Sequence, residues 1–166
     1  VTNDVYLGHA PVTNSITNVS GGSYENLVAD KTQVSTSVTD VTDTTTVTLT
    51  ATPTVAEGGT ILYTATVSAP VTVTPVVVTL TNGQTITIPV GQSSGTATGS
   101  VTNDVYQGHA AVTNSISSVS GGSYENLVAN KTVLSTSVTD VTDTTTVTLT
   151  ATPTVAEGGQ IVYTAT

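Results

Sequence analysis

The sequence predicts an all-β chain of tandem sandwich domains, each of about seven antiparallel strands, and three observations carry that expectation. Residues 101–166 repeat residues 1–66 at an offset of 100, with nine of the 66 aligned positions different. Threonine alternates with Val, Leu, Ile and Ala along much of the chain, the period-two signature of strands with one buried face. Turn residues recur every ~8–12 residues, and no stretch shows the period of a helix. A period near 100 is too long for solenoid or propeller units and suits one small autonomous domain.

The segment VTDVTDTTT at 38–46 is poor in apolar residues, carries two acids and precedes clean alternation. It sets a boundary near Thr42. Residues 1–42 are then the C-terminal part of a preceding repeat, 43–142 one complete repeat, and 143–166 the N-terminal part of a following one. No charged-apolar-small leader opens the sequence, so the expectation is a window on a longer chain.

Within the complete repeat, Val47, Leu49 and Ala51 alternate with threonines and predict the first strand. Ile61, Tyr63, Ala65 and Val67 predict the second, and Val76, Val78 and Leu80 the third. Asn82-Gly83 between two alternating runs reads as a type I′ hairpin turn. Ile86, Ile88 and Val90 follow as the fourth strand, and 94–102, 109–119 and 131–141 as the last three. Seven short strands at this spacing describe an immunoglobulin-like sandwich without its Cys and Trp landmarks. Pro53, Pro70, Pro75 and Pro89 belong at strand ends or edges, where a missing N–H breaks no ladder bond.

Composition removes whole classes of function. The chain lacks Cys, Met, Trp, Phe and Arg, which excludes disulfides, thiolate metal sites and bidentate arginine clamps. Eleven acids against two lysines give a formal charge of −9, so nucleic acid and anionic membrane surfaces would repel it. No apolar run approaches the ~20 residues of a membrane span. Ser, His and Asp occur without a Gly-x-Ser-x-Gly elbow, so no enzyme activity is expected.

Strand parity gathers the acids. With an odd number of alternating strands, the termini of a repeat lie at opposite poles. Glu57 after the first strand, Asn103 and Asp104 after the fifth, and Asp140 and Asp143 after the seventh meet at the C-terminal pole. Glu125, in the loop between the last two strands, lies at the other pole and is expected to reach Asp40 and Asp43 of the incoming linker. Asp4 occupies the position of Asp104 one repeat earlier. Crowded carboxylates repel unless a cation neutralises them. Oxygen donors with flanking glycines favour Ca²⁺ over transition metals or Mg²⁺. The competing reading makes these acids solvated linker residues or strand-end caps. His109 and His9 read as surface or hydrogen-bonded histidines, Tyr63 as core, and Tyr106 and Tyr124 as residues packing at the poles.

The segments VTLTATPTVAEGGTILYTATVS, TLTNGQTITIPVGQSSGTATGSVTNDVYQG and SVTDVTDTTTV together resemble the tandem extender repeats of giant LapA-like biofilm adhesins exported by type I secretion. That resemblance implies calcium-dependent immunoglobulin-like repeats on the bacterial outer surface, in arrays that hold an adhesive tip away from the membrane, with calcium at the junctions. Residues 56–58 and 102–108 also resemble Calx-β domains, which implies Glu57, Asp104, Asp140 and Asp143 as ligands. Asn103 and His109 stand where that pattern carries acids. The expected function is a spacer whose partners are neighbouring repeats. Alternatives are a repeat that itself binds other adhesin copies, abiotic surfaces or glycans, or a filament pairing residues 143–166 with 1–42 of another copy, which would lack the three middle strands.

Overall fold

The computed structural model describes all 166 residues as an all-β chain without a helix. β1 (Val12–Asn14) and β2 (Val34–Thr36) form an exposed antiparallel pair. The complete repeat follows as β3 (Thr44–Ala51), β4 (Thr54–Ala56), β5 (Thr60–Thr66), β6 (Val76–Leu80), β7 (Thr85–Ile88) and β8 (Ser94–Ser100). It continues with β9 (Val112–Asn114), β10 (Ile116–Gly121), β11 (Asn126–Ala129) and β12 (Leu134–Thr139). A second exposed pair, β13 (Leu149–Ala151) and β14 (Tyr163–Ala165), closes the chain.

Residues 44–139 form a β-sandwich. One sheet has the order β11-β3-β5-β8. The facing layer combines β4-β12-β9 with β10-β6-β7, joined because β9 and β10 are successive parts of one interrupted strand. Alternation places Val47, Leu49, Ile61, Tyr63 and Ala65 on the inner face of the first sheet, and Val76, Val78, Leu80, Ile86, Ile88 and Ile116 on that of the second, all buried in one core. Threonines take the outer faces, where β-branched side chains suit the pleat.

The pairings fix strand directions. β3 is antiparallel to β5, β5 to β8, β12 to β9, and β10 to β6, while β12 runs parallel to β4 and β11 parallel to β3. β3, β6, β8 and β12 therefore point the same way, and the ends of the repeat lie at opposite poles as parity predicts.

Three details differ from the expected strands. The first strand ends after Ala51 with Pro53 just past it, as expected, but the Pro53 carbonyl accepts the Ser137 N–H at 2.9 Å. The chain then resumes as β4 in the other layer. The predicted strand 109–119 begins only at Val112 and shifts register between Ile116 and Ser118. The last strand is two pieces, the first of which, β11, starts in the expected loop and pairs with β3. Ten strands thus replace the seven expected over 43–142. The Asn82-Gly83 turn is not type I′ either: Gly83 (φ 86°) alone is left-handed, its N–H donates to Leu80 O at 3.0 Å, and Leu80 N–H donates to Gln84 O at 2.8 Å. That is a type I turn closed by a glycine bulge.

Candidate metal centre at the repeat junctions

At the C-terminal pole the β4–β5 turn carries Glu57. Gly58 adopts φ +71°, and a Cβ on Gly59 would fall 2.7 Å from the Ala56 carbonyl oxygen, so the tight turn requires the Gly-Gly pair. The Glu57 N–H donates to Thr139 O at 3.0 Å, fastening the turn to the end of β12. This pulls the side chain under the outgoing linker, and Glu57 is only 5% exposed. Its Oε2 accepts the Val141 N–H at 3.3 Å, while its Oε1 is buried with no partner.

The loop after β8 folds over the same point. Asp104 Oδ1 accepts the Tyr106 N–H at 2.8 Å, and the Gly108 N–H donates to Asp140 Oδ2 at 3.1 Å. The first is an Asx-turn, the local bond that lets aspartate shape a loop. Asn103 Nδ2 donates to Asp143 Oδ2 at 2.8 Å, across the linker. One ligand atom each from Glu57, Asp104 and His109 lies within 4.8 Å of the others.

The incoming junction repeats the arrangement. Asp4 Oδ1 accepts the Tyr6 N–H at 2.9 Å, Gly8 N–H donates to Asp40 Oδ2 at 3.2 Å, and Asn3 Nδ2 donates to Asp43 Oδ2 at 2.5 Å. His9 Nε2 lies 3.2 Å from Asp40 and 4.0 Å from Asp4. Here the receiving repeat adds Glu125, whose Oε2 accepts the Asp43 N–H and whose Oε1 is buried without a partner. The Asp43 N–H draws the Glu125 carboxyl downward, but desolvation and the carboxyls of Asp40 and Asp43 together outweigh it, and its pKa is raised. Asp40 moves the other way, held down by the Gly8 N–H first and then by Glu125 and His9, against desolvation.

Of the residues expected as ligands, Glu57, Asn103, Asp104, Asp140 and Asp143 lie at the outgoing junction, and Asp4, Asp40, Asp43 and Glu125 at the incoming one. The sequence places His109 at the start of a strand as a surface or hydrogen-bonded residue, and its Nδ1 does lie 2.9 Å from Ala110 O. The strand starts three residues later, and the ring sits in the loop beside Glu57 and Asp104. Its spacing from Asp104, kept by His9 and Asp4, was the available signal.

The family model described as LapA domain matches residues 43–141. No curated protein and no solved structure matches the chain.

Proposed function

This chain belongs to the LapA domain family, a structural rather than catalytic family of cell-surface adhesins in biofilms, and from that premise we propose that it is an immunoglobulin-like extender segment whose junctions are stiffened by Ca²⁺. The order of the two sheets supports the immunoglobulin-like reading, and the repeat at 100 residues supports an array. Export by type I secretion to the bacterial outer surface accords with a cysteine-free acidic chain.

The observation that carries the calcium reading is the orphaned Oε1 of Glu57, buried beside Asp104 and His109. A buried carboxylate oxygen without a partner is costly unless a cation or proton meets it. The residues fit the ion. Glu57, Asp104, Asp140 and Asp143 supply hard oxygen donors, Asn103 an amide oxygen, and no thiol competes. The imidazole of His109 is the one nitrogen of the group and serves Ca²⁺ only from outside the ligand shell, as a hydrogen-bond donor to a coordinating carboxylate.

The two junctions are complementary halves of one design. Glu57 of the repeat that ends reaches the Val141 N–H, and Glu125 of the repeat that begins reaches the Asp43 N–H. In an array each Asp-Val-Thr-Asp linker is held by one glutamate from either side. An ion among them ties two domains and the linker together. Weak extracellular sites, with Kd of ~10⁻⁴–10⁻³ M, suit this role outside a cell.

The test is calorimetric titration and thermal melting of the 166-residue chain with Ca²⁺, Mg²⁺ and Zn²⁺ against chelator. Calcium should bind in the sub-millimolar to millimolar range and raise the melting temperature. Melting curves that coincide with and without calcium, or a clear preference for Zn²⁺ through His109, would overturn the reading.

A second reading, that the repeat is itself an adhesive module for surfaces or glycans, draws on its threonine-covered outer faces and on avidity from near-identical copies. Glycan-array binding by this chain would favour it, and silence would favour the spacer.

A further inference from the structure

The acids are not all that crosses the incoming junction. Residues 5–7, from the loop equivalent to 105–107 one repeat earlier, lie against residues 123–125 as a short antiparallel bridge centred on Tyr6 and Tyr124. The Leu7 N–H donates to Ser123 O at 2.8 Å and the Glu125 N–H to Val5 O at 3.0 Å. The Tyr6 ring stacks on Tyr124 with centroids 5.5 Å apart and planes at 27°. Its hydroxyl donates to Pro70 O at 2.6 Å, beside the Tyr124 hydroxyl, which donates to Ala69 O at 2.7 Å. Val5 and Tyr6 thereby pack against the core of a repeat to which they do not belong.

The chain contains its own control. Val105 and Tyr106 occupy the same positions one repeat later and are 56% and 76% exposed, whereas Val5 and Tyr6 are half-buried. Residues 143–166 duplicate residues 43–66, which hold β3, β4 and β5, and these 166 residues contain no second copy of Ala69 and Pro70, the carbonyls that receive the two hydroxyls. Local sequence is identical from 101 to 106 and from 1 to 6. The two loops differ at the third bridging position, Leu7 against Gln107, and in the receiving surface.

We propose that this tyrosine is a docking hook by which each repeat grips the next, stacking on the residue equivalent to Tyr124 and bonding the carbonyl equivalent to that of Pro70, without a metal ion. Tyr106 is the same hook, and its occupant is the next complete repeat of the same chain. A second molecule is a poor occupant, because the receiving surface of this chain is already filled by its own Tyr6. The hook goes beyond the calcium reading and does not depend on it: aromatic stacking and backbone pairing across the joint are short-range and unscreened by salt.

Amide hydrogen exchange by NMR on the 166-residue chain in chelator tests the hook directly. The Leu7 and Glu125 amides should be protected. Tyr6→Ala should speed their exchange by about tenfold or more, Tyr6→Phe by less because the stack survives, and Tyr106→Ala not at all. Protection of the β5 amides reports that the repeat stays folded in each variant. Fast exchange at Leu7 and Glu125 in the parent chain, or rates unmoved by Tyr6→Ala, would overturn the hook. Protection appearing only when calcium is added would also overturn it, while leaving the calcium reading intact.

Discussion

The carboxylate of Glu125 accepts a hydrogen bond at 2.5 Å from the backbone N–H of Asp43, a residue 82 positions earlier in the chain. The bond joins the start of β3 to the loop that leads into β11, so it sets where the incoming linker enters the sandwich. Removing the carboxylate by Glu125→Ala should leave the core intact and loosen residues 40–43. Calcium affinity at the incoming junction should fall roughly ten- to a hundredfold, as for other residues that orient a metal site. Titration calorimetry against the parent checks this, and an unchanged isotherm would remove Glu125 from the site.

Glu57 predicts a reversal of sign. Its buried Oε1 has no partner, so Glu57→Gln removes charge from a place that does not solvate it, while keeping shape. In chelator the variant should melt at or above the parent temperature, and it should lose most of the calcium-induced rise. Scanning calorimetry of both proteins with and without calcium decides. A variant that melts lower in chelator yet responds fully to calcium would contradict the assignment.

Two glycines with the same backbone angle separate strain from collision. Gly121 and Gly91 both have φ +84°, but a Cβ on Gly121 would lie 2.1 Å from the Pro75 carbonyl oxygen, whereas one on Gly91 meets nothing within 4 Å. Gly91→Ala should cost about 1 kcal/mol, the penalty for an L residue in the left-handed region. Gly121→Ala must also displace the Pro75 backbone just before β6 and should cost several-fold more. Urea denaturation of the two variants gives the comparison, and equal losses would mean that the close approach is not real.

Tyr124 supplies a pH dependence. Burial raises its phenol pKa, and the neighbouring Tyr6 raises it further. A raised folded-state value means that the neutral form is favoured by folding. Its contribution is fully present below about pH 10, the ordinary tyrosine value, and is lost as pH climbs through the higher folded value. Stability in chelator should therefore fall on the alkaline side, and Tyr124→Phe should flatten that fall. Alkaline melting curves in parallel with the phenolate absorbance provide the check.

The faces of the strands were legible in the sequence because Val47 with Leu49, and Ile61 with Tyr63, report burial through local alternation. Partners were not legible where they lie far along the chain. Nothing near Pro53 says that its carbonyl will meet Ser137, so the crossing of the first strand into the other layer went unseen. The Asn82-Gly83 dipeptide fits more than one turn, and strand twist selects among them. The acids at the poles followed from strand direction alone, since direction needs only a count of reversals. Placing His109 among them needed the loop's path, which no periodicity encodes.

The side-by-side run of β3 with β11 and of β4 with β12, all pointing the same way, has a mechanical consequence. Tension applied through the two ends of a repeat drags β3 against β11 in one sheet and β4 against β12 in the other, in opposite directions along each pair. The cross-strand bonds lie across that pull and resist together, in shear, instead of opening one after another like a zip. Rupture force is then governed by these two pairings, and the remainder of the sandwich carries little of the strain until they slip.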